Sequence, residues 1–232
     1  MRSFRSTSGG YGRRLLFEER EFDEIATQEL RSAGCLPSAP EAIRIDRFVE
    51  RRFGCTVEYQ DMGEDVLGAT LFNNDGSVRG VVVALHLETE TADRLFRSTV
   101  AHEAGHGLLH SSLFIVDPAQ ADFRIDNADF KSGRIMCRSG DVKPGQGRGY
   151  DGRWWEYQAN RMIGSLLLPR PLVMLAVKEL LEKTSITNSP NLPAQRRDRA
   201  IAAIANVFQV NPVVSQIRLD EILPQNSGQM EF

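Results

Sequence analysis

The sequence is poor in the features that mark secreted and membrane proteins. It has only 3 cysteines, Cys35, Cys55 and Cys137, and no CxxC pair, so neither a disulfide framework nor a zinc ribbon is expected. Apolar runs such as GVVVAL and SLLLP fall far short of the roughly 20 residues of a membrane-spanning helix. These absences predict a cytoplasmic chain with reduced thiols that does not enter a membrane.

Neither sign of charge is in large excess. The chain has 28 Lys and Arg against 31 Asp and Glu, and its pI is about 5.9, which does not indicate a general polyanion-binding surface. The N-terminal MRSFRSTSGGYGRR is basic and rich in Ser and Gly. It lacks the apolar segment of a secretory signal, and residues 1–17 are therefore predicted to be a disordered leader.

Helical patterns open the ordered part of the chain. Apolar residues make up 41% of the sequence, enough for a core, and their spacing predicts a helix over 18–33. Ser38 and Glu41 form a candidate capping box for a second helix, which Gly54 ends. A third helix is predicted to open at Thr89 or Thr91 and to run to about His110.

A small sheet is predicted between the second and third helices. Its strand candidates are residues 55–60, 66–72 and 78–87. The NNDG stretch between the last two favours a hairpin, because Asn, Asp and Gly tolerate positive φ angles. The expected sheet is three-stranded and mainly antiparallel.

The second half of the chain is predicted to be mainly helical. A long irregular stretch at 117–153 is either a functional loop or a mobile insertion. Apolar spacing in RWWEYQANRMIGSLLLPRP predicts a helix that Pro169 and Pro171 stop. Three further helices are predicted at 171–183, 194–208 and 212–222.

The stretch TVAHEAGHGLLH holds three of the four histidines. His102 and His106 stand one helical turn apart, so both rings lie on one face and can share a metal ion. Glu103 can take a proton from a water bound at that ion and later deliver it to a leaving amine. This is the HExxH pattern of zinc peptidases. Gly105 lowers the helix propensity of this segment. A glycine at this position would be explained if another backbone packs closely against the helix.

A catalytic zinc ion requires a third protein ligand. His110 has turned about 80° away from His102 around the helix, so it is better explained as a core residue or as a hydrogen-bond partner of a ligand. Glu156 lies in an apolar helical stripe, where a metal would partner the carboxylate; a solvated glutamate at a helix start is an equal alternative. Asn160, one turn on, could hydrogen-bond a ligating histidine, and the small Ala159 lets the two helices approach.

Two stretches together, RSTVAHEAGHGLLH and WWEYQANRMIGSLLLPR, resemble the ImmA/IrrE metallopeptidases over about residues 36–170. The resemblance implies a zincin of the gluzincin type, with His102, His106 and Glu156 as zinc ligands and Glu103 as catalytic base. The chain departs from the family pattern at Ser98, where Phe is usual. The stretch between His106 and Glu156 is also long, which bears on substrate access.

The resemblance also implies a fold and a partner. The predicted fold is α+β and zincin-like, with the three-stranded sheet packed on the HExxH helix and on a second ligand helix. Residues 18–183 would form the metallopeptidase domain and 184–232 a C-terminal helical extension. Members of this family typically cut a helix-turn-helix repressor and so switch on stress or mobile-element genes. Zn²⁺ is the expected cofactor, with Mn²⁺ and Fe²⁺ as alternatives.

Several features leave alternatives open. Cys137 is either an inert thiol or a thiolate that occupies the open zinc position, and Tyr150 and Tyr157 are candidates to stabilise an oxyanion. The last two predicted helices have the apolar spacing and the short turn of a helix-turn-helix. The second helix has balanced charges, so a packing role is favoured over DNA binding. The alternative to a protease is a regulatory module that binds a repressor or DNA, or senses a metal, without cleavage.

Overall fold

The computed structural model describes residues 2–5, 13–115, 133–138, 153–183 and 190–225. In these residues the chain forms seven α-helices and eight strands of an α+β protein. The helices are α1 (Glu19–Ser32), α2 (Ile45–Phe53), α3 (Asp93–Leu109), α4 (Trp154–Leu167), α5 (Arg170–Ala176), α6 (Arg197–Phe208) and α7 (Pro212–Ile222). The strands are β1 (Arg2–Arg5), β2 (Arg13–Leu16), β3 (Val57–Gln60), β4 (Val66–Phe72), β5 (Val78–Ala84), β6 (Arg134–Arg138), β7 (Glu182–Lys183) and β8 (Pro190–Asn191).

The helix boundaries differ from the prediction at several places. Helix α3 begins at Asp93, after a 3-10 turn at Glu90–Ala92, rather than at Thr89 or Thr91. The helix predicted over 171–183 ends at Ala176, and residues Glu182–Lys183 form a strand.

Helix α1 matches the predicted range, and Glu18 and Glu21 form its capping box. The capping box predicted at residues 38–41 is wrong, because α2 begins only at Ile45. Pro40 disfavours helical backbone in Ala39, which would be the first residue of the predicted helix. Gly54 ends α2 as predicted, with a φ of 73° that glycine adopts without strain.

The main sheet has four strands and is mixed, which corrects the predicted three-stranded, mainly antiparallel sheet. Its order is β3-β5-β4-β6. Strand β5 pairs parallel with β3 and antiparallel with β4, and β4 pairs antiparallel with β6. The predicted hairpin between β4 and β5 is confirmed, with Gly76 at a φ of 83°. The fourth strand, β6, comes from the stretch 117–153 that was predicted to be irregular. The rest of that stretch, apart from Gly133 and Arg153, lies outside the described residues.

Helix α3 lies at the centre of the described part of the fold. It packs against α4, α2, β4 and β5, and its residues contribute to the main hydrophobic core. The same core contains Ile204 and Phe208 of α6 and Leu219 of α7. The two C-terminal helices therefore share the core of the residues that precede them.

The N-terminal residues differ from the predicted disordered leader. Strands β1 and β2 pair antiparallel, and Leu15 of β2 is only 2% exposed. It packs in a second cluster with Phe72, Phe114 and Trp154. This burial was missed because one leucine in a short basic segment gives no periodic signal. Residues 6–12 lie outside the described part of the chain.

Among the described residues, no single helix has both the length and the apolar character to cross a membrane. The pair Ala194–Phe208 and Pro212–Ile222 passes by length and composition, but it is bent by 116°.

Candidate metal centre

The middle of α3 is buried on all sides, and two glycines allow this. A Cβ added to Gly105 would lie 2.8 Å from Met162 Cβ and 3.3 Å from Ala159 Cα. A Cβ added to Gly107 would lie 2.7 Å from Phe53 Cζ. Glycine at these positions lets α4 and α2 pack directly on the backbone of α3. The close approach predicted from Gly105 and the small Ala159 is confirmed.

Three candidate ligand side chains converge between α3 and α4. One ligand atom from each of His102, His106 and Glu156 lies within 4.8 Å of the others. The two histidine Nε2 atoms are 3.0 Å apart, and Glu156 Oε2 lies 3.1 Å from His102 Nε2. Glu156 Oε1 is 3.7 Å from His106 Nε2. Glu156 is only 5% exposed, so it is not a solvated glutamate at a helix start.

A hydrogen bond determines which nitrogen of His102 faces this cluster. Nδ1 lies 3.1 Å from Oδ1 of Asn160. Because an amide oxygen only accepts hydrogen bonds, Nδ1 carries the proton. Nε2 is then the atom directed at Glu156 and His106. Asn160 lies one turn beyond Glu156 on α4, so one helix supplies both a candidate ligand and the partner that orients another.

A longer chain of hydrogen bonds orients His106. Gln158 Nε2 donates to the backbone carbonyl of Leu15 at 2.8 Å, so the amide oxygen of Gln158 faces His110 Nε2, at 3.0 Å. His110 therefore carries its proton on Nε2 and accepts at Nδ1, which lies 2.9 Å from His106 Nδ1. His106 Nδ1 must donate, and its Nε2 is left with a lone pair directed at the cluster.

The protonation state of His110 agrees with this series of hydrogen bonds. Burial and the neighbouring His106 lower the pKa of His110 to about 3, so His110 is neutral at physiological pH. The sequence analysis offered His110 as a core residue or a hydrogen-bond partner of a ligand. The structure places it in both positions, since it also packs edge-on against Trp154 at a centroid distance of 5.6 Å.

The types of ligand in the cluster fit a bound cation. Burial raises the pKa of Glu156, but His106 and His102 outweigh burial and hold it far below its usual value. Burial lowers the pKa of His102, but Cys137 and Glu156 outweigh burial and raise it. The Glu156 carboxylate is therefore ionised where it meets the two Nε2 atoms. Imidazole and carboxylate ligands suit Zn²⁺ and related divalent metals, so these residues fit a metal ion.

Glu103 points from α3 toward the sheet. Thr70 Oγ1 on β4 lies 2.6 Å from Glu103 Oε2 and 2.9 Å from the backbone oxygen of the same residue. A Cβ on Gly68 would lie 2.9 Å from Glu103 Oε1 and 2.8 Å from Thr99 Cγ2. Strand β4 thus leaves room for the carboxylate at a glycine and orients it with a hydroxyl group.

Cys137 lies beside Glu103, on strand β6. It is fully buried and stands opposite Gly68 in the register of β4 and β6. Its Sγ and one ligand atom from each of His102 and Glu103 lie within 4.8 Å of one another. Burial raises the pKa of the thiol to about 11, against the opposing effect of His102. Strand β6 therefore places Cys137 next to the candidate metal centre.

The two tyrosine candidates are not brought to the centre. Tyr150 lies outside the described residues. Tyr157 is on α4 next to Glu156, but its side chain is 50% exposed. Gln158 and Thr70 were not among the predicted site residues, and both are buried polar side chains. The one sequence signal for them is a polar residue within an otherwise apolar segment, because a buried polar group needs a hydrogen-bond partner.

Comparison with known proteins adds no family. No model of a protein family matches the chain, and no curated protein matches it either.

Proposed function

We propose that this chain is a zinc-dependent endopeptidase. The observation that supports the proposal is the convergence of His102, His106 and Glu156 within 4.8 Å, with a buried glutamate, Glu103, next to the first of them. The donor set of two imidazoles and one carboxylate fits a divalent cation. A zinc ion bound there would supply Lewis acidity toward a scissile carbonyl and an attacking water.

Glu103 has the position and the surroundings of a general base. Its carboxylate is buried and hydrogen-bonded by Thr70, so it does not swing freely. In the proposed reaction it takes a proton from the attacking water and delivers it to the leaving amine. Thr70 acts through Glu103, because its hydroxyl group holds one carboxylate oxygen in place.

The substrate would bind as an extended strand. Among the described strands, β6 is at the end of the main sheet next to β4, and it carries Cys137 beside His102 and Glu103. An extended peptide that adds to the edge of a sheet is held mainly by hydrogen bonds between the two backbones. We infer that a peptide alongside β6 would run past the candidate metal centre.

The family resemblance suggests the class of substrate. In ImmA/IrrE-type enzymes the substrate is a helix-turn-helix repressor, and we propose the same class here, in the cytoplasm. The non-proteolytic alternative is a metal-sensing module, which the proximity of Cys137 to the cluster favours. DNA binding by α7 has less support. Three polar residues of this helix are candidates to contact DNA: Ser215, Gln216 and Arg218. Ser215 and Arg218 are only 0% and 3% exposed, so Gln216 is the one exposed residue of the three.

Cleavage by purified protein tests the proposal. The zinc-loaded chain is incubated with purified helix-turn-helix repressors as candidate substrates, and fragments are identified by mass spectrometry. Glu103→Gln should retain zinc and lose cleavage by about 10² to 10⁴-fold, the range for loss of a general base. Glu156→Ala should lose zinc as well, as measured by metal analysis after dialysis.

A matched control distinguishes loss of the proposed general base from loss of one negative charge elsewhere on the chain. Glu24 is exposed on α1, and Glu24→Gln should leave both zinc content and cleavage unchanged. Full cleavage by Glu103→Gln would exclude the role given to that residue. Binding of a repressor without cleavage by the native chain would favour the sensor module.

A further inference from the structure

Cys137 is set apart from the other two cysteines. Cys35 and Cys55 are half-buried, and the Cys35 thiol donates to the backbone oxygen of Ala33 at 3.5 Å. Cys137 is fully buried and is the one cysteine of the described residues that belongs to a group of candidate metal ligands. Its position is therefore not that of a thiol that merely fills space.

The two candidate ligand groups share one residue. His102 belongs both to the group with His106 and Glu156 and to the group with Glu103 and Cys137. Glu156 approaches His102 from α4, and Cys137 approaches it from β6, whereas His106 and Glu103 lie on α3 with His102 itself. Ligand atoms from both sides thus lie within 4.8 Å of ligand atoms of His102.

The chemistry of zinc distinguishes open from closed sites. Catalytic sites have three protein ligands and leave one position for water, whereas structural sites are closed by four protein ligands. A cysteine sulfur is among the preferred zinc ligands. Cys137, whose Sγ lies within 4.8 Å of a ligand atom of His102, therefore supplies the type of ligand that closes a set of two histidines and one carboxylate.

We propose that Cys137 Sγ is the fourth ligand of the metal, so that the resting chain holds a closed site of two histidines, one glutamate and one cysteine. This inference rests on the proposed metal centre and concerns its regulation. On closure the sulfur–hydrogen bond breaks, a sulfur–metal bond forms, and the proton passes to solvent. The exchange requires no oxidant.

Opening reverses the same step. The sulfur–metal bond breaks, a water takes the position, and the sulfur regains a proton. Since Cys137 is carried by β6, which lies at the end of the described sheet, a partner that displaces or re-registers β6 would withdraw the sulfur. The strand that is proposed to receive the substrate would thus also control access to the metal.

Cobalt spectroscopy of the full chain tests the ligand directly. Co²⁺ bound by a thiolate has a sulfur-to-metal charge-transfer absorption in the near ultraviolet, in addition to its visible bands. Native protein and Cys55→Ala should have this absorption. Cys137→Ala and Cys137→Ser should lose it and keep the visible bands, and their cleavage of a repressor should rise above that of the native chain.

A second measurement requires no variant. X-ray absorption of the zinc-loaded native chain should reveal one sulfur neighbour of the metal. Absence of that sulfur, or a charge-transfer absorption that persists in Cys137→Ala, would overturn the inference even if the enzyme cleaves its substrate. The opposite result, a Cys137-dependent absorption with no cleavage by any variant, would support the thiolate ligand and contradict the peptidase.

Discussion

At the scale of single residues, the centre depends on which nitrogen of each histidine carries a proton. Asn160 accepts from His102 Nδ1, and the chain through His110 and Gln158 requires His106 Nδ1 to donate. Both Nε2 atoms are thereby directed at Glu156. Such partners of ligands typically affect metal affinity by 10 to 100-fold, although they never touch the ion.

The Gln158 amide gives a test at this scale. Gln158→Met keeps a side chain of similar length but removes both the acceptor for His110 and the donor to the carbonyl of Leu15. His110 can then change tautomer and no longer holds His106 in place. We expect zinc affinity to fall by about 10-fold, as measured by competition with a chromophoric chelator.

An exposed glutamine provides the control for that variant. Gln216 lies on the surface of α7, and Gln216→Met should leave zinc affinity as it is in the native chain. Equal affinities for Gln158→Met and Gln216→Met would mean that the hydrogen-bond chain does not orient His106.

The residues of the centre differ in how predictable they were. The spacing of His102, Glu103 and His106 on one helix is visible in the sequence, because the helical period alone brings the two rings together. Glu156 was left open between two interpretations, since its burial depends on the packing of α4. Gln158 was not found, because its role requires the carbonyl of Leu15, 143 residues away.

At the scale of elements, the centre depends on how closely α3 and α4 approach. The ligands come from both helices, and the contact between them is made at Gly105, Ala159 and Met162. Interiors are packed to crystal-like density, so an added methyl group at this contact must move a helix. Such a movement would carry Glu156 away from the histidines.

The glycine of the motif therefore gives a test at this scale. In Gly105→Ala the new Cβ would lie 2.8 Å from Met162 Cβ. Overpacking of this kind costs about 1–3 kcal/mol, more than the roughly 1 kcal/mol that alanine gains in helix propensity. We expect lower stability in urea and weaker zinc binding, as measured by denaturation with and without metal.

Gly164 on α4 is the matched control. A Cβ there would lie 3.3 Å from Arg218 Cδ, a contact that includes none of the candidate ligands. Gly164→Ala should therefore retain zinc affinity. Weaker zinc binding in this variant too would mean that any added methyl group on the pair of helices disturbs the centre.

Elements were predictable to different degrees. Helices α1 and α4 follow from apolar periodicity, and α3 was predicted from a capping threonine; both signals are local. Strand β6 was not predicted, because RIMCR has 5 residues and becomes a strand only by pairing with β4. The parallel pairing of β3 with β5 was also missed, since register and direction depend on partners that are distant in the chain.

At the scale of the whole molecule, charged side chains join the N-terminal and C-terminal helices. Arg218 of α7 is only 3% exposed; it donates to the backbone oxygen of Leu168 at 3.0 Å and to Asp23 of α1. Ser165 and Arg170 also donate to Asp23, at 2.8 Å and 3.2 Å. Burial raises the pKa of Asp23, but Arg218 outweighs burial and lowers it below 3.8.

Removal of this arginine should destabilise the whole fold. In Arg218→Met, Asp23 loses its main charge partner, and we expect a loss of about 2–3 kcal/mol at pH 7. A carboxylate with a lowered folded-state pKa contributes stability above its unfolded pKa and loses it as the pH falls. The difference from the native chain should therefore shrink toward pH 3, as measured by urea denaturation at both pH values.

Arg199 of α6 is exposed, and Arg199→Met should have almost no effect at either pH. A destabilisation by Arg218→Met that is the same at neutral and acidic pH would attribute the effect to lost packing rather than to Asp23.

The sequence by itself determined the chemistry of the candidate centre and the α+β class, because both follow from local spacing: two histidines one turn apart, and apolar residues at helical or strand period. Only the tertiary structure decided the four-stranded mixed sheet, the burial of Leu15, and the approach of Thr70 and Cys137 to Glu103. These features depend on contacts between residues far apart in the chain. Such contacts form when apolar surface is buried, and no period within a single segment records them.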